Sequence, residues 1–362
     1  MGWRLNWTAW RNRLLGSSRF QAWASRTPLI RHVAQHHARD LFDLTAGFIY
    51  SQIAAALVDS GLFAALQQSP LTDTDAATIA RLPGDAARTL LLAAESLELT
   101  EQVGDLWTLG RRGAMLAGTA GVPEMIAHHR LLYRDLADPL AMLRRESGGA
   151  LAGLWRYGAD ADPDAVASYS ALMAASQPMV AAQALAAYRF DRHRRHLDIG
   201  GGVGRFITAV AGAAPRLEFG LFDLPPVIAQ AGPALAAAGL RDRVTLHPGS
   251  FRTDAVPTGY DLVSLVRVMH DHDDSVAAPL LRSIRDSLPP GGRLLIVEPM
   301  AGTRGAERVG HAYFGFYLSA MQSGRPRAPD EIAAMLANAG FSRSRRLRTP
   351  LPLAASVMLA ER

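Results

Sequence analysis

The chain has 362 residues, 49% of them hydrophobic and 20% charged, with a net charge of +5. That length suggests two domains, and the apolar content excludes a disordered chain. No cysteine is present, which excludes structural disulfides, thiolate metal sites and thiol nucleophiles, and no uninterrupted apolar run of about 18 residues points to a spanning helix.

The N-terminus carries neither the compact apolar stretch nor the small-residue cleavage site of a signal peptide, so a cytoplasmic protein, soluble or membrane-peripheral, is expected. All 38 basic residues are arginine, as a GC-rich genome would produce. Their distribution says more. Residues 1–36 read as a basic amphipathic arm: seven arginines and no acid fall between Met1 and Arg39, interleaved with Trp3, Trp7, Trp10, Phe20 and Trp23. The pattern suits an anionic membrane surface and is also compatible with an arm docked on its own domain or a partner subunit.

Residues 37–185 read as a helical domain. Apolar spacing predicts helix over 41–66, interrupted at Gly61, then a capped turn at 70–73 and helices over 75–80 and 85–97. Residues 99–109 alternate as a two-stranded ribbon turning at Gly104-Asp105. Helices followed by a ribbon form a winged-helix-like order. The helix at 85–97 offers only Arg88 against Asp85 and Glu95, so no nucleic acid is expected and the module reads as one for subunit interaction. Helices continue to 185, with a Gly/Pro/Asp-rich break at 158–163.

From 186 to 362 the texture changes. Short apolar runs at 197–200, 218–223, 243–247, 261–268 and 293–298 alternate with helical stretches, the signature of a doubly wound α/β sheet. Asn338 to Phe341 reads as a helix stop with Gly340 as cap, leading into a closing strand pair at 343–349 and 355–360, seven strands in all.

The first run ends in Leu197-Asp198-Ile199-Gly200-Gly201-Gly202-Val203-Gly204. A dinucleotide fingerprint needs glycines at the first, third and sixth positions, and this loop fails it from Gly200 and from Gly202. Asp198, before the glycines, suits a cationic amino-acid moiety and would repel a pyrophosphate. Asp223 ends the next strand, where a carboxylate can accept both hydroxyls of a ribose, though it is also placed to cap the helix starting at Pro225-Pro226. Gly249-Ser250-Phe251 is placed to cover an adenine. Together these residues point to a charged sulfur nucleoside.

For transfer from such a donor, alignment alone contributes on the order of 7–11 kcal/mol, and a base must take the acceptor's proton. His270, after the fourth run, is assigned as that base, and Glu298, at the end of the fifth, as the carboxylate that orients it. The cluster of His270, Asp271, His272, Asp273 and Asp274 is also compatible with a divalent metal or with a solvated, capping turn, and His270 with simple packing. Residues 311–321 are apolar nearly all round, fitting either a pocket wall for a long hydrocarbon or a buried helix.

The segments LDIGGGVG (197–204), FDLP (222–225), GSF (249–251), HD (270–271), GGRLLIVEP (291–299) and AGF (339–341) resemble the O-methyltransferase family of the plant caffeate and isoflavone enzymes. Within it, FDLTAGFIYSQ (42–52), LVRVMHDHDD (265–274) and HAYFGFYLSAMQSGRPR (311–327) look similar to the bacterial hydroxyneurosporene (demethylspheroidene) O-methyltransferases of carotenoid synthesis. The resemblance covers nearly the whole chain. It implies a Rossmann-like class I methyltransferase fold with an N-terminal winged-helix-like dimerisation domain, a homodimer, and a metal-free enzyme using S-adenosyl-L-methionine. Gly200, Asp223, Leu224, Ser250 and Phe251 would contact that cofactor, together with Asp198 and Gly202 of the loop. His270 would be the base and Glu298 its partner.

The pattern departs from the plant enzymes at Ser250, where an acid is usual, at Pro326, where a second glutamate is usual, and at Val266, where a lysine is usual; Arg267 is placed to replace that lysine's cofactor contact. These departures suit an aliphatic hydroxyl. The expected reaction is methylation of the tertiary hydroxyl of an acyclic carotenoid, a hydrophobic small molecule delivered at the inner (photosynthetic) membrane. The rivals are a phenolic or polyketide O-methyltransferase and a winged-helix regulator that kept a cofactor domain.

Overall fold

The computed structural model describes residues 2–146, 149–154 and 163–362; the break expected at 158–163 lies, apart from Pro163, outside them. The chain divides into two compact units, Met1–Met115 and Leu116–Arg362.

The first unit begins with helices α1 (Gly2–Leu15), α2 (Ser18–Arg26) and α3 (Arg31–Asp59), so residue 36 falls inside a 29-residue helix, not at a boundary. Gly61, at φ +79, turns the chain into α4 (Leu62–Gln68). A capping box between Thr72 and Asp75 starts α5 (Asp73–Ala80), and α6 (Gly84–Ser96) follows. Strands β1 (Thr100–Val103) and β2 (Leu106–Leu109) pair antiparallel around Gly104, and α7 (Arg111–Ala117) comes next. The expected order of helices and ribbon is present. Trp107 fixes it: the ring is buried and its indole N–H donates to Asp73 Oδ1 at 2.7 Å. By length and composition α3 is long and apolar enough to cross a membrane. Thr45, Ser51 and Gln52 interrupt its apolar run without removing its apolar character.

The second unit opens with α8 (Val122–Asp135), α9 (Pro139–Leu143), α10 (Ala150–Leu154) and α11 (Pro163–Ala187). The sequence assigned these helices to the helical half; the structure groups them with the sheet. The reason is packing: Leu132, Met142 and Leu151 share a core with Tyr317, Leu318 and Met321, and α11 lies on α12 (Arg205–Ala213).

The sheet comprises β3 (Arg195–Ile199), β4 (Glu218–Asp223), β5 (Val244–Pro248), β6 (Leu262–Val266), β7 (Arg293–Glu298), β8 (Arg343–Leu347) and β9 (Ser356–Glu361), in the order β5-β4-β3-β6-β7-β9-β8. All neighbours are parallel except β9, which runs antiparallel to both β7 and β8. Helices α13 (Pro225–Ala237), α14 (Asp274–Ser287) and α16 (Pro329–Asn338) complete the connections, with a π-helical turn at Val309–Phe314 running into α15 (Gly315–Met321). Both faces of the sheet are covered, which is why its central strands β3 and β6 are buried nearly throughout rather than alternating, their polar His196, Asp198 and Ser264 bonded to one another. Leu197, Ile199, Val263 and Leu265 face one core, while Phe206, Val210, Phe219 and Leu221 belong to the other. Truncating Leu265, fully buried in β6, to alanine should destabilise this unit by about 2–5 kcal/mol, read as a lower urea midpoint at unchanged slope.

Candidate functional site

Strand β3 lies between β4 and β6, so the connections leave it in opposite directions and open a crevice at the carboxyl ends of these strands. The loop after β3 holds Gly200, Gly202 and Gly204 at φ +67, +59 and +80. A Cβ on Gly200 would stand 2.8 Å from Val268 Cγ2, while one on Gly202 would meet nothing within 4 Å. The loop therefore packs on its inner side and stays open on the other. There a cavity of about 480 Å³ is lined by Gly200, Gly202, Asp223, Leu224, Ser250, Phe251 and Arg267, all singled out by the sequence. Gln177, Asp271, His272 and Met321 line it as well.

Asp223 Oδ2 accepts the Gly202 N–H at 2.8 Å and Oδ1 accepts the Leu224 N–H at 2.7 Å. These bonds fix the carboxylate at the cavity wall while each oxygen keeps capacity for an incoming hydroxyl. Burial raises its pKa, and the two backbone donors oppose the rise. Ser250 carries no charge, but its N–H donates to Asp254 Oδ2 at 2.7 Å, so a carboxylate still orders that turn. Phe251 meets the edge of His272 at 5.2 Å. Arg267 occupies the left-handed region at φ +55, and its guanidinium donates to Ser176 Oγ at 2.7 Å and Gln177 Oε1 at 2.6 Å. It reaches the cavity already engaged with α11.

Asp198 is placed otherwise than its sequence position suggests. The pleat turns it away from the cavity and into the sheet, where it accepts from Ser264 Oγ, which is also bonded to His196 Nε2 at 2.7 Å. It is fully buried, and burial pushes its carboxyl up to about 7. Its Oδ2 has no hydrogen-bond partner among the described residues and lies directly under the loop, 2.4 Å from where a Cβ on Gly201 would sit.

His270 sits in the short turn Met269–Asp271 beyond β6, buried. Here the expected partnership is corrected. Glu298 Oε2 accepts the backbone N–H of His270 at 3.0 Å, not the imidazole; the ring meets Asp271, whose Oδ1 is 3.1 Å from Nε2. The tight turn folds Asp271 back onto its neighbour. In the sequence Asp271 reads as a metal ligand or as part of a solvated, capping turn, not as the partner of the imidazole. Burial, followed by the positive charges of Arg267 and Arg327, holds the imidazole down at about 3, so it is neutral at pH 7. Burial raises the Asp271 carboxyl well above its ordinary value and pushes Glu298 up to about 7.

An apolar wall stands beside this turn. Phe314 lies 5.4 Å from the His270 ring, and Tyr313 and Tyr317 hydrogen-bond His129 and His128 of α8 at 2.6 and 2.9 Å. Burial lowers both of these histidine pKa values, so the wall carries no charge near neutral pH. Segment 311–321 is thus both buried helix and site wall: Tyr317 and Leu318 are buried, and Met321 lines the cavity.

The O-methyltransferase domain family matches residues 133–342. The demethylspheroidene O-methyltransferase of Cereibacter sphaeroides is 41% identical over 97% of this chain and 94% of its own. That of Rhodobacter capsulatus is 40% identical, over 97% and 88%. Among solved structures, human N-acetylserotonin methyltransferase in complex with SAM superposes with a TM-score of 0.75 at 21% identity, covering 90% of this chain and 97% of that one. A mitomycin 7-O-methyltransferase gives 0.73 at 25%, covering 91% and 99%.

The buried carboxyl of Glu298 gives a stability test. Its folded pKa, about 7, exceeds the ordinary 4.5, so its contribution is complete below 4.5 and is lost as pH rises through 7. Relative to Glu298→Gln, whose amide oxygen can still accept from His270, the wild type should lose up to about 3 kcal/mol between pH 5 and 8, read by denaturant melts at each pH.

Proposed function

The chain belongs to the O-methyltransferase family, and from that premise we propose that it methylates the tertiary hydroxyl of an acyclic carotenoid of the hydroxyneurosporene (demethylspheroidene) type. The observation that carries this reading is the near-full-length identity of 41% and 40% to two demethylspheroidene O-methyltransferases. The uncharged wall of Tyr313, Phe314 and Tyr317 beside His270 agrees with a hydrocarbon acceptor.

The residues of the cavity fit S-adenosyl-L-methionine. Gly202 leaves room for close backbone approach, and Asp223 presents oriented oxygens to a ribose. Gly200, Leu224, Ser250, Phe251 and Arg267 complete the enclosure. When bound, that cofactor supplies a methyl group on cationic sulfur. The chain's own residues then have one proton to manage. His270 Nδ1, buried and without a partner among the described residues, accepts it, while Asp271 faces Nε2 and orients the ring. Glu298 acts through the backbone by fixing the turn. A tertiary alcohol is far less acidic than imidazolium, so proton removal accompanies methyl transfer instead of preceding it.

The acceptor is delivered from the cytoplasmic face of an anionic, photosynthetic inner membrane. Support comes from Trp3, Trp7, Trp10 and Trp23, each more than half exposed on helices bearing only arginine charge. The exposed Phe42, Leu44 and Phe48 of α3 support burial against a second copy, making the enzyme a homodimer.

Incubation with labelled S-adenosylmethionine and a panel of hydroxylated carotenoids and phenols should label the acyclic tertiary alcohol; preferential labelling of a phenol would overturn the acceptor. His270→Ala should lower turnover by about 10²–10⁴ with affinity for S-adenosylhomocysteine near wild type. Asp271→Asn should lower turnover further than Glu298→Gln does. Sedimentation with phosphatidylserine vesicles, but not with phosphatidylcholine vesicles, should deplete the protein at low salt, and light scattering should give twice the chain mass.

A further inference from the structure

Resting on the assignment of His270 as base, we infer that Arg327 is a positioning residue that holds the base-bearing turn by its backbone from within the segment 323–327. Its side chain is fully buried. Nη1 donates to Met269 O at 2.7 Å, Nη2 to His272 O at 2.7 Å, and Nε and Nη2 to Asp274 Oδ1 at 3.0 and 2.7 Å. One planar fork thus grips the carbonyls on either side of His270 and Asp271 and the carboxylate that opens α14.

The same segment satisfies the two carbonyls in between. The N–H of Arg325 donates to His270 O at 2.9 Å, and Ser323 Oγ donates to Asp271 O at 2.7 Å. Four consecutive carbonyls, from Met269 to His272, therefore accept donors from residues 323–327. Gly324 makes the approach possible: it lies at φ +78, and a Cβ there would fall 2.1 Å from His270 O. The N–H of Ala301 in turn donates to Arg327 O at 3.0 Å, tying the segment to the end of β7. With Glu298 on its N–H and Arg325 on its carbonyl, His270 has its peptide groups fixed on both sides while the ring keeps Nδ1 available. Orientation thus comes through the main chain in addition to the Asp271 carboxyl at the distal ring nitrogen.

Arg327 also brings charge. The charged and titratable groups around the imidazole are Arg267, Asp271 and His272 from its own turn, Glu298 from β7 and Arg327 from the gripping segment. Arg327 opposes protonation of His270, so removing its charge raises the pH at which the base becomes available. The positional and electrostatic effects are separable. Lysine keeps the charge and loses the fork; glutamine loses both.

The test compares Arg327→Lys and Arg327→Gln in the full chain, with labelled S-adenosylmethionine and the carotenoid alcohol that the wild type methylates. Arg327→Lys should lose about 10–100-fold in kcat with the acidic limb of the pH profile unmoved, while calorimetric affinity for S-adenosylhomocysteine stays within about fivefold. Arg327→Gln should lose as much and also move that limb to higher pH. If Arg327→Gln does not fold, the lysine variant decides. Retention of kcat within about twofold in Arg327→Lys overturns the inference. So does a parallel fall of kcat, cofactor affinity and melting temperature, which would mark a merely structural role. A wild type that methylates no alcohol at all would instead refute the function on which the inference rests.

Discussion

Strand β3 is buried on both faces and paired on both edges, and the whole second unit is arranged around that condition. A chain leaving such a strand must turn at once, because the helix that follows has to cover the sheet. Glycines in the left-handed region make the turn without a Cβ between the backbone and the crevice. The crossovers depart in opposite directions at the same place, so the turn also becomes the floor of the cavity. Asp223 then closes the arrangement: by accepting from both the loop and its own helix start, it locks β4 to the glycine turn and presents the same oxygens to the cavity.

Around this floor the unit buries an unusual number of ionisable groups. His196, Asp198, His270, Asp271 and Glu298 are all withdrawn from water, and burial favours the neutral form of each. A region held close to neutral is one that an apolar alcohol can enter without stranding a charge. Two guanidinium groups also lie here, those of Arg267 and Arg327, and each holds side-chain or backbone oxygens. Their role is thus geometric first and electrostatic second.

The first unit follows a different economy. Its core is small and built around Trp107, Leu57, Leu62 and Leu91, whereas its first three helices leave large apolar side chains in water. Arginine without any acid over the first 39 residues adds an attraction for anionic surfaces. Apolar exposure and a single sign of charge coincide on α1 and α2.

The sequence by itself determined the strands, the glycine loop and seven of the residues that line the cavity. Those features depend on local periodicity and on residues at the ends of strands, where direction follows from the strand itself. Residues 218–223 and 293–298 were read with their full observed extent for that reason. Tertiary structure alone decided the rest. It turned Asp198 under the loop, gave the imidazole to Asp271 instead of Glu298, and moved helices α8 to α11 into the sheet unit. It also brought Arg327 onto a turn far from it in sequence. Contacts of this kind join a side chain to a distant carbonyl or to one of several nearby acids. They leave no period or spacing in the chain, and only the closure of the fold selects among them.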